Sequence, residues 1–137
     1  MNAFTALHSF LDKLVTLTEA QKAHFTDLFT VTTLAKGDHL LRAGDRMPYI
    51  YFSLSGCFRM YYSTYDGKER IKSFCAANDF ITSYSALLTD SPSLFSIQAL
   101  QPASLLRIYY PDLLALTAVD PVWERLARRI SEGLYLK

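Results

Sequence analysis

The side chains best suited to metal binding or covalent chemistry are three histidines, His8, His24 and His39, and two cysteines, Cys57 and Cys75. A metal-dependent β-barrel would need two His nearly adjacent on one strand, with a carboxylate and a further His converging on the ion. Here two of the three histidines fall on N-terminal helices, so no metal site is expected and each His reads as an exposed or capping residue. Nucleophilic catalysis needs a nucleophile, a base and an orienting group in contact. Ser55-Gly56-Cys57 offers a thiol, yet no His lies on the matching strands. Cys57 reads as a small apolar strand residue, and both cysteines as reduced thiols, with a redox switch as the lesser alternative. Two cysteines cannot hold an iron–sulfur cluster, which takes four. The chain therefore reads as a non-enzyme. The remaining polar group is a set of hydroxyls, Thr82, Ser83, Ser85, Ser93 and Ser96. They serve either as ordinary loop and turn residues, the favoured reading, or as the lining of a pocket for a neutral or weakly anionic ligand.

The elements that must position these residues follow from composition and periodicity. The chain has 137 residues, half of them apolar, which suits one domain with a real core. Fourteen Lys and Arg against 13 Asp and Glu leave a net charge of +1, too little for a surface that grips nucleic acid by itself. No apolar run approaches the roughly 18 residues of a membrane span, and no basic segment leads into an apolar block as in a secretory signal. These features predict a soluble, cytoplasmic chain.

Phe4, Leu7, Leu11 and Leu14 make one apolar helical stripe. Thr18 and Gln21 have the spacing of a capping box for a second helix ending near Phe29. Short strands then follow between turns: Lys36-Gly37-Asp38 and Ala43-Gly44-Asp45 flank His39–Arg42. Ile50, Phe52 and Leu54 alternate with Tyr51, Ser53 and Ser55 as a half-buried strand would. Gly56 marks a bulge or bend before Phe58, Met60 and Tyr62. Asp66-Gly67 predicts a hairpin returning over Lys68–Cys75. Ser96–Leu100 and Ser104–Tyr109 are expected to pair across a Gln101-Pro102 turn. Many evenly spaced short strands indicate a sandwich or barrel.

Helix returns with Pro111 at the start of one segment, over Asp112–Ala118, and Asp120-Pro121 at the start of the next. The last helix carries Trp123, Leu126, Ile130 and Leu134 on one face, with Arg125, Arg128, Arg129 and Glu132 largely opposite. That face either packs on its own domain or forms a dimer seam. The expectation is a homodimer through these four residues, weakened by Gly133.

The order of helix, β-roll and two helices resembles the sensor domain of catabolite-activator/FNR-type transcription regulators. The resemblance is carried by Leu40-Leu41, Gly44-Asp45, Tyr51-Phe52, Leu54-Ser55-Gly56, Arg59, Asp66-Gly67-Lys68-Glu69 and Asn78-Asp79-Phe80. It implies a mainly β domain with flanking helices, a double-stranded β-helix (jelly-roll) of about eight strands between Val31 and Tyr109. N-terminal helices would occupy residues 1–29, the roll 30–109, and C-terminal dimerisation helices 110–137, in one domain over 1–137. It further implies a bacterial regulator that senses a small-molecule effector and reaches DNA only through a helix-turn-helix domain absent from this chain, which looks cut after Lys137. No membrane contact is expected.

In the nucleotide-binding members that it resembles, Asp-Phe is followed by Gly-Glu, a short helix, and Arg with a small residue. Gly lets backbone approach the phosphate, Glu holds the ribose hydroxyl, and Arg neutralises the charge in a bidentate contact. Without gaps, Thr82 stands at the Gly position, Ser83 at the Glu, Ser93 at the Arg, and Leu94 at the small residue. The short helix persists as Tyr84–Leu88, leaving its first amides available. Phe80, Ile81, Thr82, Ser83, Tyr84, Ser93, Leu94 and Ser96 are the expected ligand-binding residues. Burying a phosphate monoanion without a cationic partner is costly, and helix amides supply only about 0.3–2 kcal/mol. Cyclic nucleotide binding is therefore disfavoured and no cofactor is expected. The alternatives are a genuine cyclic-nucleotide module with an unusual cassette, and a purely structural dimerisation domain.

Overall fold

The computed structural model describes residues 4–135, so positions 1–3 and 136–137 of the expected single-domain span lie outside the described residues. Helix α1 (Phe4–Asp12) buries Leu7 and Leu11, while Leu14 packs against the same core just beyond its end. Helix α2 (Glu19–Asp27) has the expected capping box. Gln21 N donates to Thr18 Oγ1 at 3.1 Å, and Thr18 N donates to Gln21 Oε1 at 2.9 Å. The helix stops short of Phe29, which instead opens strand β1 (Phe29–Leu34) opposite Ile108, its ring edge-on to Phe25 at 4.9 Å.

Seven further strands follow: β2 (His39–Leu41), β3 (Tyr49–Ser55), β4 (Phe58–Ser63), β5 (Glu69–Cys75), β6 (Phe80–Ile81), β7 (Ser96–Ala99) and β8 (Ala103–Tyr109). They form two four-stranded antiparallel sheets in the orders β1-β8-β3-β6 and β2-β7-β4-β5. This is the expected double-stranded β-helix with flanking helices. One pairing differs. β7 and β8 are sequential but lie in different sheets, each hydrogen-bonded to a strand on both sides. Neither has a free edge to offer the other, so Gln101-Pro102 carries the chain between sheets rather than closing a hairpin.

β3 differs from its expected half-buried character, because Ile50, Tyr51, Phe52 and Ser53 are all buried. Its alternation divides side chains between two cores, not between core and solvent. Ile50 and Phe52 face the helices, and Tyr51 faces the interior of the roll. Gly56 ends the strand at φ +102°, and a Cβ there would lie 2.5 Å from that of Ala103. Only glycine allows the turn to pass so close to β8.

Helix α4 (Tyr110–Thr117) has Pro111 in its first turn, and Asp120 Oδ1 accepts from Val122 N at 2.9 Å at the start of α5 (Pro121–Tyr135). The apolar face of α5 decides between the two readings of that helix. Trp123, Leu126, Ile130 and Leu134 are 3, 0, 4 and 6% exposed within a single chain. They join Leu7, Leu11, Phe25 and Leu113 in the core between the helices and the first sheet. The expected dimer seam is therefore a face of the domain core. Fully burying each such side chain is worth roughly 1.5–3 kcal/mol, and that gain is already realised in one copy. No helix among the described residues is long and apolar enough to cross a membrane.

Candidate functional site

The segment after β5 is fixed to β3 before it reaches the roll. Asn78 adopts φ +63°, its N–H donates to Ser53 O at 2.6 Å, and Ser53 N donates to Asp79 O at 3.0 Å. Asp79 Oδ1 accepts from Phe80 N at 2.8 Å. The strand then sends its two residues to opposite cores. Phe80 stacks edge-on between Phe52 and Phe10 at 5.1 and 5.4 Å, on the helix side. Ile81 is buried inside the roll. Both expected ligand residues are core residues.

The hydroxyls expected to line a pocket are mostly spent on the fold. Thr82 Oγ1 donates to Tyr49 O at 2.7 Å, and Ser96 Oγ accepts from Ala43 N at 2.9 Å. Ser83 and Ser93, the positions of the acidic and basic cassette residues in the family resembled, touch each other at 2.8 Å between Oγ atoms. Ser93 Oγ donates to Phe95 O at 2.8 Å and accepts from Phe95 N at 3.3 Å. Its one proton is thus committed, and Ser83 is the donor in the pair. Ser83 and Ser93 are 0 and 3% exposed, whereas Leu94 is 75% exposed. Ser83, Ser93 and Ser96 thus make hydrogen bonds within the fold, and Leu94 lies at the surface.

A cavity of about 180 Å³ does open beside them. Thr82, Tyr84 and Ser85, at the start of the short helix α3 (Tyr84–Thr89), form one wall. Met60 of β4 and Lys72 of β5 form the second, Phe95 a third, and Leu134 with Tyr135 of α5 close the end. Of the eight expected ligand residues, Thr82 and Tyr84 line it. Lys72 is its one cationic lining residue, with Nζ 5.1 Å from the centroid of Phe95. Its orientation comes from a bulge: the register passes from Met60↔Ser73 to Tyr61↔Ile71, making Lys72 the extra residue. Burial, and then the neighbouring Tyr84, raises the Tyr110 phenol above its ordinary value, so it adds no negative charge near this wall at neutral pH.

The remaining chemistry-bearing residues lie elsewhere. His39 is partly buried on β2, not exposed or capping, with Nε2 2.6 Å from Tyr61 Oη and Nδ1 buried without a partner. Arg59 lies over the Tyr61 ring at 4.1 Å, donates to Gln98 Oε1 at 2.7 Å and pairs with Glu69 at 3.0 Å. Desolvation, then the charges of Arg42 and Arg59, pull His39 below its ordinary pKa. His8 Nε2 lies 2.8 Å from Thr26 Oγ1, and His24 is exposed. Neither Cys57 nor Cys75 is part of a disulfide. Among the described residues no cluster of His, Cys, Asp and Glu is arranged to hold a metal.

Two four-stranded antiparallel sheets with helices before and after them define a β-roll class of domain. The chain belongs to the cyclic nucleotide-binding domain family, which matches it over residues 31–120. It is similar to a solved cyclic nucleotide-binding domain from Methylobacillus flagellatus, at TM-score 0.80 and 16% identity, covering 94% of this chain and 74% of that one. The sensor domain of the transcriptional regulator DNR from Pseudomonas aeruginosa matches at TM-score 0.67 and 24% identity, covering 94 and 91%. The N-terminal domain of a transcriptional regulator from Streptomyces coelicolor matches at 0.66 and 25%, covering 85 and 83%. A structure of the whole DNR chain matches at TM-score 0.73 and 24% identity, covering 93% of this chain and 56% of that one. No curated protein matches the chain in sequence.

At the positions where the ungapped alignment expects the cassette Gly, Glu and Arg, Thr82 is hydrogen-bonded to Tyr49 O and Ser83 and Ser93 are hydrogen-bonded to each other.

Proposed function

We propose that this domain senses a small-molecule effector within a transcription regulator of catabolite-activator/FNR type, with DNA contact made by a separate helix-turn-helix domain. The observation that carries this reading is the cavity's boundary. One wall belongs to the roll and the cassette segment, and the end is closed by Leu134 and Tyr135 in the last turn of α5. A bound molecule therefore touches both the roll and the last helix, α5. Binding that favours one position of α5 shifts its equilibrium by the difference in affinity for the two positions. Self-association through Trp123, Leu126, Ile130 and Leu134 has no part in this reading, since those side chains are buried within one chain.

The test is a library of single-ring fragments screened by thermal shift, with hits mapped by amide chemical shifts and hydrogen exchange. The expected result is a hit that perturbs Thr82, Phe95 and Leu134 together and slows exchange at the end of α5. Hits that map only to other surfaces, or that leave α5 exchange unchanged, would overturn the sensor reading.

A further inference from the structure

We infer that the cavity selects a one-ring aromatic monoanion, such as an aromatic carboxylate, held by Lys72; this rests on the sensor reading above. Three observations converge on that class. The first is size: the cavity holds about 180 Å³. A cavity of roughly 150 Å³ takes up benzene, while pockets for drug-sized ligands run to about 300–1,000 Å³. One substituted ring fills that space, and a larger molecule would extend past its solvent-open side.

The second is the character of the walls. Met60, Phe95 and Leu134 present apolar surface, and the Phe95 ring is itself 7% exposed and fixed by its neighbours. A planar ring can stack there offset or edge-on, as aromatic pairs prefer. The third is charge. Lys72 is the extra residue of the β5 bulge, which brings its ammonium to the cavity wall beside Phe95. An ammonium has three donors, so contact with the ring face and a carboxylate oxygen are compatible. Ser85 adds a hydroxyl on the opposite wall. The cation has thus moved from the cassette, where Ser93 stands, to the facing strand. Charge alone no longer disfavours an anion; the missing cassette Arg disfavours a nucleotide.

The experiment compares benzoate, benzamide and cyclic AMP on the full chain by NMR titration, in the parent and in Lys72→Met and Lys72→Arg. Lys72 is exposed, so both variants are expected to fold, and unchanged thermal unfolding checks this. In the parent, benzoate should bind about tenfold more tightly than benzamide, ~1.4 kcal/mol, with shifts at Phe95 and Leu134. Lys72→Met should bring the ratio near one by weakening benzoate alone, and Lys72→Arg should keep most of it. Equal binding of benzoate and benzamide at the cavity would overturn the anion assignment and leave the sensor reading standing. Cyclic AMP binding more tightly than benzoate would overturn the one-ring assignment. No binding of either ring at the cavity would count against the sensor reading as well.

Discussion

The Ser83–Ser93 contact separates a structural cassette from a functional one, and a double-mutant cycle reads the difference. Ser93→Ala removes the donor to Phe95 O and the acceptor of the Ser83 hydroxyl. Both partners are then left in a region where Ser83 is 0% and Phe95 7% exposed. A buried polar group deprived of its partner loses roughly 1–3 kcal/mol, so Ser93→Ala should destabilise by about 2–3 kcal/mol. Ser83→Ala removes only the donor of the pair, while Ser93 keeps its bonds to Phe95. That change should cost about 1 kcal/mol. In the double variant the Ser83 hydroxyl is no longer stranded, so its cost should fall short of the sum by about 1 kcal/mol, as expected of residues in contact. Urea unfolding with fixed m-values measures all four corners. Benzoate titration on the same proteins should show affinity within about twofold of the parent, because neither hydroxyl lines the cavity. Additive stabilities, or a large loss of binding with stability unchanged, would refute the structural assignment.

Gly56→Ala should destabilise by about 2–4 kcal/mol, combining a left-handed φ with overpacking against Ala103; Gly67→Ala, with open space around it, should lose only about 1 kcal/mol. Chemical denaturation of the two variants side by side checks the contrast. Ile130→Ala should lose about 2–5 kcal/mol by opening a core cavity, and sedimentation should show the same oligomeric state before and after, which a seam residue would not give. His39 has a folded pKa below its ordinary 6.5, so the unfolded chain takes up its proton first as pH falls. Its contribution is present above about pH 6.5 and is lost as pH drops below that toward the folded value. His39→Gln should flatten the pH dependence of the unfolding midpoint in that window.

The sequence and the structure agree wherever one local rule decides the outcome. Thr18 and Gln21 sit three apart, and the reciprocal bonds follow from that spacing. Asp66-Gly67 closes the β4–β5 hairpin for an equally local reason, since Gly67 accepts φ +84°. The β7–β8 connection is different. Two short strands with a Pro turn between them look the same whether they pair or cross between sheets; long-range partners β2, β4, β1 and β3 decide it. The alternation in β3 was legible as a period but not as a burial pattern, because the second face is covered by strands distant in sequence.

The cavity was the least legible feature for the same physical reason. Thr82 and Tyr84 could be found because they follow Asp79-Phe80 in an ordered cassette. Lys72 could not: strict alternation along β5 places it opposite Ser73, and only the bulge between Met60 and Tyr61 brings it to the wall. Phe95 and Leu134 read as ordinary core, and they are core on one side and cavity wall on the other. Leu134 ties the two roles together. It was expected at a contact between chains, yet it is buried in its own domain and also closes the cavity. A side chain in that position cannot move without changing both the packing of α5 and the shape of the site. An effector acting through it would need no seam on this face of α5, because Leu134 meets the cavity at the inner surface of the helix.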